Sequence, residues 1–152
     1  MAILVEPWRI PGEGRALEGA EPAEMLDLEP GSEIIPAGPV HYALRVQFVS
    51  GELVVEGSVE AQVEVRCSRC GERFRCTVRE PALQAMLEVP NAHVPVDLTA
   101  EVREAILLAF PSYPLCRPDC RGLCARCGAN LNRRSCRCAT RAEVRWGPFD
   151  GL

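Results

Sequence analysis

Eight of the nine cysteines in this 152-residue chain stand in close pairs: Cys67-x2-Cys70, Cys116-x3-Cys120, Cys124-x2-Cys127 and Cys136-x-Cys138, with Cys76 alone. Thiolates at such spacing are soft ligands for a metal ion, and structural zinc takes four of them tetrahedrally at about 2.3 Å. Cys67-Ser-Arg-Cys70-Gly71 and Cys124-Ala-Arg-Cys127-Gly128 have the C-x2-C-G form. In that turn backbone N–H groups point at the sulfurs and glycine permits the tight curl. The economical assignment makes Cys124, Cys127, Cys136 and Cys138 one local site. Cys67 and Cys70 then join Cys116 and Cys120 in a long-range site. A competing assignment pairs Cys116 and Cys120 with Cys124 and Cys127 and leaves Cys67 and Cys70 free.

Zinc is the expected metal, with iron in a rubredoxin-like site as its rival, because thiolates suit both. A disulfide framework is not expected: the count is odd, and the start MAILVEPWRI has no basic n-region and is interrupted by Glu6, so no signal peptide is read. A redox CxxC dithiol is disfavoured because no thioredoxin-like βαβ pattern precedes either pair. Cys76 reads as a buried, metal-free thiol. Catalysis finds little support. His41 and His93 are isolated from the cysteine pairs, and there is no GxSxG, Walker loop, GxGxxG or HExxH. The chain therefore reads as a non-enzyme with no small-molecule substrate.

The elements that must position these thiols are mostly strands. In HYALRVQFV, Tyr42, Leu44, Val46 and Phe48 alternate with polar or small residues, and Ser50-Gly51 marks a turn. LVVEGSVEAQVEVRC then puts Leu53, Val55, Gly57, Val59, Ala61, Val63 and Val65 on one face, a strong half-buried strand signal. RFRCTVRE puts Phe74, Cys76 and Val78 inward. If these two strands pair antiparallel across the Cys67–Cys70 turn with residue numbers summing to 139, Val65 meets Phe74 and Val63 meets Cys76. Glu64 then meets Arg75 and Glu60 meets Arg79, so apolar and charge pairs agree together. Residues 82–89 fit either more sheet or a short helix. VDLTAEVREAILLAFP reads as a helix capped by Asp97 or Thr99, with a stripe of Leu98, Val102, Ala105/Ile106 and Ala109, ending at Pro111. Residues 2–10 read as one edge strand and 11–39 as largely loop, with at most a short strand or turn around Met25–Leu28.

The expected fold is α+β: an antiparallel β-sheet domain with one main helix and a C-terminal Cys-rich zinc ribbon. The β-rich domain covers 1–115 and carries the Cys67/Cys70 knuckle, the ribbon covers 116–140 and docks on it, and a tail covers 141–152. The ribbon is too short and glycine-rich for a core of its own and needs another source of stability.

A hydrophobic share of 47% excludes global disorder, and aromatics at 5% argue against a base-stacking platform. No apolar run approaches the roughly 20 residues that cross a bilayer. Every cation is arginine. Residues 1–65 hold 3 arginines against 12 acids, a charge of −9; residues 66–152 hold 14 against 9, a charge of +5. From 116 to 145, Arg117, Arg121, Arg126, Arg133, Arg134, Arg137, Arg141 and Arg145 stand against Asp119 and Glu143, giving +6. Bound thiolates lower this to about +3. Such a patch can touch phosphate but is too weak alone to hold RNA tightly at cellular salt. The outward arginines of the strands read first as partners of the glutamate row.

In order along the chain, GPVHYALRV, GELVVEGSV, CSRCGERF, VDLTAEVREAILLAFPSYPLC and CRGLCARCGANLNRRSCRC resemble the YceD-like family, the large ribosomal RNA subunit accumulation protein family. The resemblance runs from about residue 22 to 140, and its most specific part is the C-terminal CxGLCxxCGxNLNxxxCxC run. It maps the family's knuckle onto Cys67 and Cys70, and its C-terminal run onto Cys116, Cys120, Cys124, Cys127, Cys136 and Cys138. Asn130 and Asn132 fall on the family's asparagines, with the role of ordering the turn between ligand pairs. Two departures stand out: the acidic insert before the helix is nearly absent, and the tail EVRWGPFDGL matches only loosely.

The resemblance implies a bacterial, cytoplasmic, non-enzymatic factor supporting large-subunit (23S) rRNA accumulation and ribosome assembly. Its partner would be precursor rRNA or a ribosomal protein, met by Arg117, Arg121, Arg126, Arg133, Arg134 and Arg137. The acidic N-terminal half could hold a basic ribosomal protein. Two other classes stay open, an adaptor without RNA contact and an iron or redox tetrathiolate protein.

Overall fold

A computed structural model describes residues 2–138; the expected tail over 141–152, with Arg141 and Arg145, lies outside the described residues, as do positions 139 and 140. Four strands, β2 (Arg15–Glu21), β3 (Ile35–Val49), β4 (Glu52–Arg66) and β5 (Arg73–Glu88), form an antiparallel sheet in sequence order. β1 (Leu4–Val5) and β6 (Val96–Asp97) make a separate two-residue pair, and α1 (Thr99–Leu108) follows β6. The class is α+β.

The period-two pattern sets which face is buried. Leu53, Val55, Val59, Ala61, Val63 and Val65 of β4 are all buried, as are Val40, Leu44 and Val46 of β3. Helix α1 lays Leu98, Val102 and Ile106 on that face, each fully buried, as its apolar stripe requires. The N-cap position is Leu98, which has no capping side chain, and the two expected caps, Asp97 and Thr99, bond beside it instead. Asp97 Oδ1 accepts from the Thr99 backbone N–H at 2.9 Å, and the Thr99 hydroxyl accepts from the Ile3 N–H at 3.0 Å, tying β1 to the helix.

The β4–β5 register follows the sum of 139 from Arg66↔Arg73 through Val65↔Phe74, Val63↔Cys76 and Glu60↔Arg79 to Val59↔Glu80. A bulge then shifts it, and Gly57 faces Leu83. Pro81 sits at this bulge, where a residue without an N–H does least harm to a ladder. The freed Ala82 N–H donates to Glu80 Oε1 at 2.8 Å. Beyond the bulge β5 continues as sheet to Glu88, which resolves the choice left open for 82–89, and the inward positions become Leu83, Ala85 and Leu87. Gly57 itself marks a close approach: a Cβ there would lie 2.2 Å from the Ala43 carbonyl oxygen, at φ 156°.

Two expectations are corrected. The stretch 11–39 is not largely loop, because β2, a 3-10 turn at Ala23–Leu26 and the start of β3 occupy much of it. β2 is an edge strand whose sequence RALEGAE buries only part of itself, so it carries little alternation to read. The strand expected over 2–10 shrinks to Leu4–Val5, because Pro7 opens a 3-10 turn at Pro7–Arg9.

Candidate metal centres

The β4–β5 hairpin ends in the Cys67–Cys70 turn. There the Cys67 N–H donates to the Glu72 carbonyl at 2.8 Å and the Gly71 N–H to the Cys67 carbonyl at 2.9 Å. The same pair of bonds recurs at the second turn, Cys124 N–H to Ala129 O at 2.8 Å and Gly128 N–H to Cys124 O at 2.9 Å. Gly71 and Gly128 hold φ of 72° and 69°, the left-handed conformation that only glycine adopts cheaply. Two C-x2-C-G segments thus fold alike although one lies on a sheet and the other on a loop.

The paired thiols gather in two groups of four: Cys67, Cys70, Cys116 and Cys120, and Cys124, Cys127, Cys136 and Cys138, with all sulfurs of a group within 4.8 Å of one another. The swapped arrangement does not occur. Four sulfurs at about 2.3 Å from a central ion stand about 3.8 Å apart along a tetrahedron's edges. Cys67 Sγ to Cys120 Sγ and Cys70 Sγ to Cys116 Sγ are each 3.8 Å. This is far beyond the roughly 2.05 Å of a disulfide, and all nine cysteines are free thiols. Each group has the donor chemistry and the size to hold one metal ion. Cys76 lies half-buried on β5 apart from both groups, with its thiol pKa raised by burial. His41, on β3, and His93, in the turn before β6, join neither group.

The first group is mostly buried, with Cys67, Cys70 and Cys120 buried and Cys116 half-buried. Burial pushes the Cys67 thiol up, but backbone N–H groups of Cys116, Cys70 and Arg69 outweigh it and bring it down to about 6. Burial and the neighbouring thiols send Cys116 the other way, up to about 12. The second group repeats the split. Backbone N–H groups of Cys127 and Arg126 lower Cys124 to about 6, while the Cys127 thiol and then burial raise Cys138 to about 12. Four sulfurs this close cannot all ionise unless a cation sits among them.

One side chain joins the two groups. Asn132, on the loop that closes the second group, donates from Nδ2 to Cys120 Sγ of the first at 3.2 Å. Its Oδ1 accepts from the Arg121 N–H and from Arg117 Nη2, both at 2.8 Å. Asn130 Oδ1 in turn accepts from the Asn132 N–H at 2.9 Å. Ordering of the turn by Asn130 and Asn132 was an expectation; the reach of Asn132 across to a sulfur of the other group was not. Arg69 was also missed. It sits between Cys67 and Cys70, and its Nη1 donates to the Cys120 carbonyl at 3.1 Å and the Pro118 carbonyl at 3.3 Å. The Ser68 N–H donates to Pro114 O at 2.8 Å, and Arg133 pairs with Glu72 at 2.7 Å. These bonds all fix the C-terminal segment to the hairpin tip. Nothing in a single residue type announces them, because each partner is distant in sequence.

Of the six arginines expected at a partner surface, Arg117 and Arg133 are engaged with Asp119 and Glu72. Arg121, Arg126, Arg134 and Arg137 are exposed, and their guanidinium groups have no ion pair among the described residues.

The sequence model of the family described as large ribosomal RNA subunit accumulation protein YceD matches residues 79–152. An uncharacterized protein of Mycobacterium tuberculosis is 33% identical over 103 residues, covering 58% of this chain and 49% of its own length. A chloroplastic large ribosomal RNA subunit accumulation protein YCED homolog 1 of Zea mays is 37% identical over 67 residues, 43% of this chain and 23% of that protein. Its Arabidopsis thaliana counterpart is 31% identical over 67 residues, 43% of this chain and 21% of that protein. The chain thus spans about half the length of the first relatives it matches. No solved structure matches it.

Proposed function

From the match of the YceD family model to residues 79–152 we propose that this chain is a YceD-family protein, a zinc-braced, non-enzymatic factor supporting the accumulation of large-subunit ribosomal RNA during ribosome assembly. The observation that carries the reading is the pair of tetrathiol cages, with two edges of 3.8 Å in the first, in a protein whose two plant relatives are named for rRNA accumulation.

Zinc in each cage would act as a cross-link. Cys67 and Cys70 at the hairpin tip would be joined to Cys116 and Cys120 after the helix, and Cys124, Cys127, Cys136 and Cys138 would close the loop beyond. On this reading residues 116–140 form a small unit docked on the β-rich domain of 1–115. Zinc carries no redox chemistry of its own, and a cage of four cysteines leaves no open position for a substrate. That chemistry favours a structural part over catalysis.

The docked unit would present Arg121, Arg126, Arg134 and Arg137 to the phosphates of precursor 23S rRNA. Each phosphate contact on single-stranded RNA contributes a slope of about −0.7 to log affinity against log salt. Four contacts make a slope near −3, about 50-fold between 50 and 200 mM salt. The test is co-sedimentation of the metal-loaded protein with large-subunit precursor particles across that salt range, with native mass spectrometry to count zinc. Retention that falls steeply with salt, is lost when the four arginines become glutamate, and comes with two zinc ions supports the reading. Retention indifferent to salt and to the arginines would sink it.

A further inference from the structure

β5 is an edge of the sheet: β4 pairs with one side of it, and among the described residues no strand pairs with the other. An open edge is a row of unpaired N–H and C=O groups, which proteins block with proline, bulges and charged side chains. Along β5 those devices are unevenly spent. Arg73, Arg75 and Arg79 and the Pro81 bulge all fall in its first part, whereas Ala82–Leu87 (ALQAML) contains no proline and no charge.

The unguarded part opens on a groove of about 330 Å³. Ala82, Leu83, Gln84 and Ala85 all line it. Consecutive strand residues point to opposite faces, so only the strand's edge can present all four. Helix α1 forms the opposite wall with Ala105 and Leu108, the latter 78% exposed. The groove's charge has one sign: Glu80, Glu101 and Glu104 line it and no cation does. Glu80 is occupied by the Ala82 N–H. Glu101 Oε2 is buried without any hydrogen-bond donor, alone in that state among the side chains of the described residues. With three carboxylates and no cation on its walls, the groove suits a cationic partner.

We propose that the β5 edge from Ala82 to Glu88 is a docking site for a basic, extended protein segment. The segment adds as a fifth strand, its backbone satisfied by β5, and sets an arginine or lysine against Glu101 and Glu104. Adding a strand to an open edge is a general mode of peptide recognition in which backbone bonds hold and side chains select. The carboxylates repel a phosphate backbone, so the occupant is protein rather than RNA. The site lies apart from the arginines of the C-terminal segment, and its test does not require that segment to touch RNA.

The experiment uses the full, metal-loaded chain and a ten-residue peptide of alternating arginine and threonine. Hydrogen exchange read by mass spectrometry should show new protection confined to 82–88. A peptide with proline in place of each threonine keeps the charge but cannot join a sheet, and should bind at least tenfold more weakly. Glu104→Arg, at an exposed position, should cost at least tenfold in affinity, while Glu29→Arg, outside the groove, should change it less than twofold. No protection at 82–88, equal binding of the proline peptide, or equal losses from Glu104→Arg and Glu29→Arg would each overturn the proposal.

Discussion

Asn132 is where one residue does most to decide how the two cages relate. Its carboxamide gives a hydrogen to Cys120 Sγ and takes two, from the Arg121 N–H and Arg117. Cys120 is buried, and the Asn132 side chain is the first cause of its lowered thiol pKa. Hydrogen bonds to a ligand from outside the coordination shell orient it, and losing one typically costs 10–100-fold in metal affinity. Asn132→Ala should therefore speed metal loss from the Cys67/Cys70/Cys116/Cys120 cage by about tenfold, although Asn132 belongs to the loop of the other cage. Asn132→Asp should be worse, because it keeps the acceptor but sets a negative charge against the sulfur. Cobalt substitution with a chelator chase, following the two cages by mutating one at a time, measures this. Faster loss from the second cage alone would show that Asn132 serves only its own loop.

At the scale of elements, the long hairpin is the part the sequence announced most fully. Val65 opposite Phe74 and Glu64 opposite Arg75 could be aligned in advance because apolar and charged partners agree together in the register that sums to 139. The slip at the Pro81 bulge could not, since a bulge is a two-against-one mismatch that neither strand shows alone. β2 escaped notice because an edge strand with half its residues exposed needs few apolar side chains, and RALEGAE supplies few. The cysteine groups were foreseen as one of two pairings, and choosing between them required knowing that the chain after α1 returns to the hairpin tip. Gly57 gives this level its test. A methyl there would meet the backbone of β3 at 2.2 Å, whereas one at Gly38 would meet only Gln62 Cβ at 3.9 Å. Gly57→Ala should lower stability by about 2 kcal/mol or more through strand displacement, and Gly38→Ala should stay within about 0.5 kcal/mol. Urea unfolding of the metal-loaded protein reads both as midpoint shifts at constant slope; equal shifts would mean that the close approach of β3 and β4 is not the constraint.

Across the whole molecule, two regions are held together by different physics. The sheet and helix bury a continuous set including Val40, Val46, Leu53, Val55, Val59, Leu98, Val102 and Ile106, enough apolar surface to drive folding without help. From 116 to 138 only Cys120, Gly122 and Ala129 are buried, and the regular structure is a single bridge, Leu123↔Asn130. A segment of that size cannot offset its chain entropy by burial, so its order must come from sulfur–metal bonds and the few hydrogen bonds to the hairpin tip. Apparent binding energies of about 10–16 kcal/mol for structural zinc in small peptides are ample for this. Removing the metal should then unfold the molecule in part. The chain has no lysine, so trypsin reports on arginines alone. In the loaded protein, cleavage at Arg121, Arg126, Arg133, Arg134 and Arg137 should be slow (Arg117 precedes Pro118 and is not a trypsin site). After chelation under reducing conditions these bonds should be cut first, leaving a resistant fragment that still contains β2 to α1. If Arg75 or Arg79 in β5 is cut as fast as Arg121, the metal is holding the sheet as well. If chelation leaves every site as protected as before, the C-terminal segment owes its order to something other than its thiols.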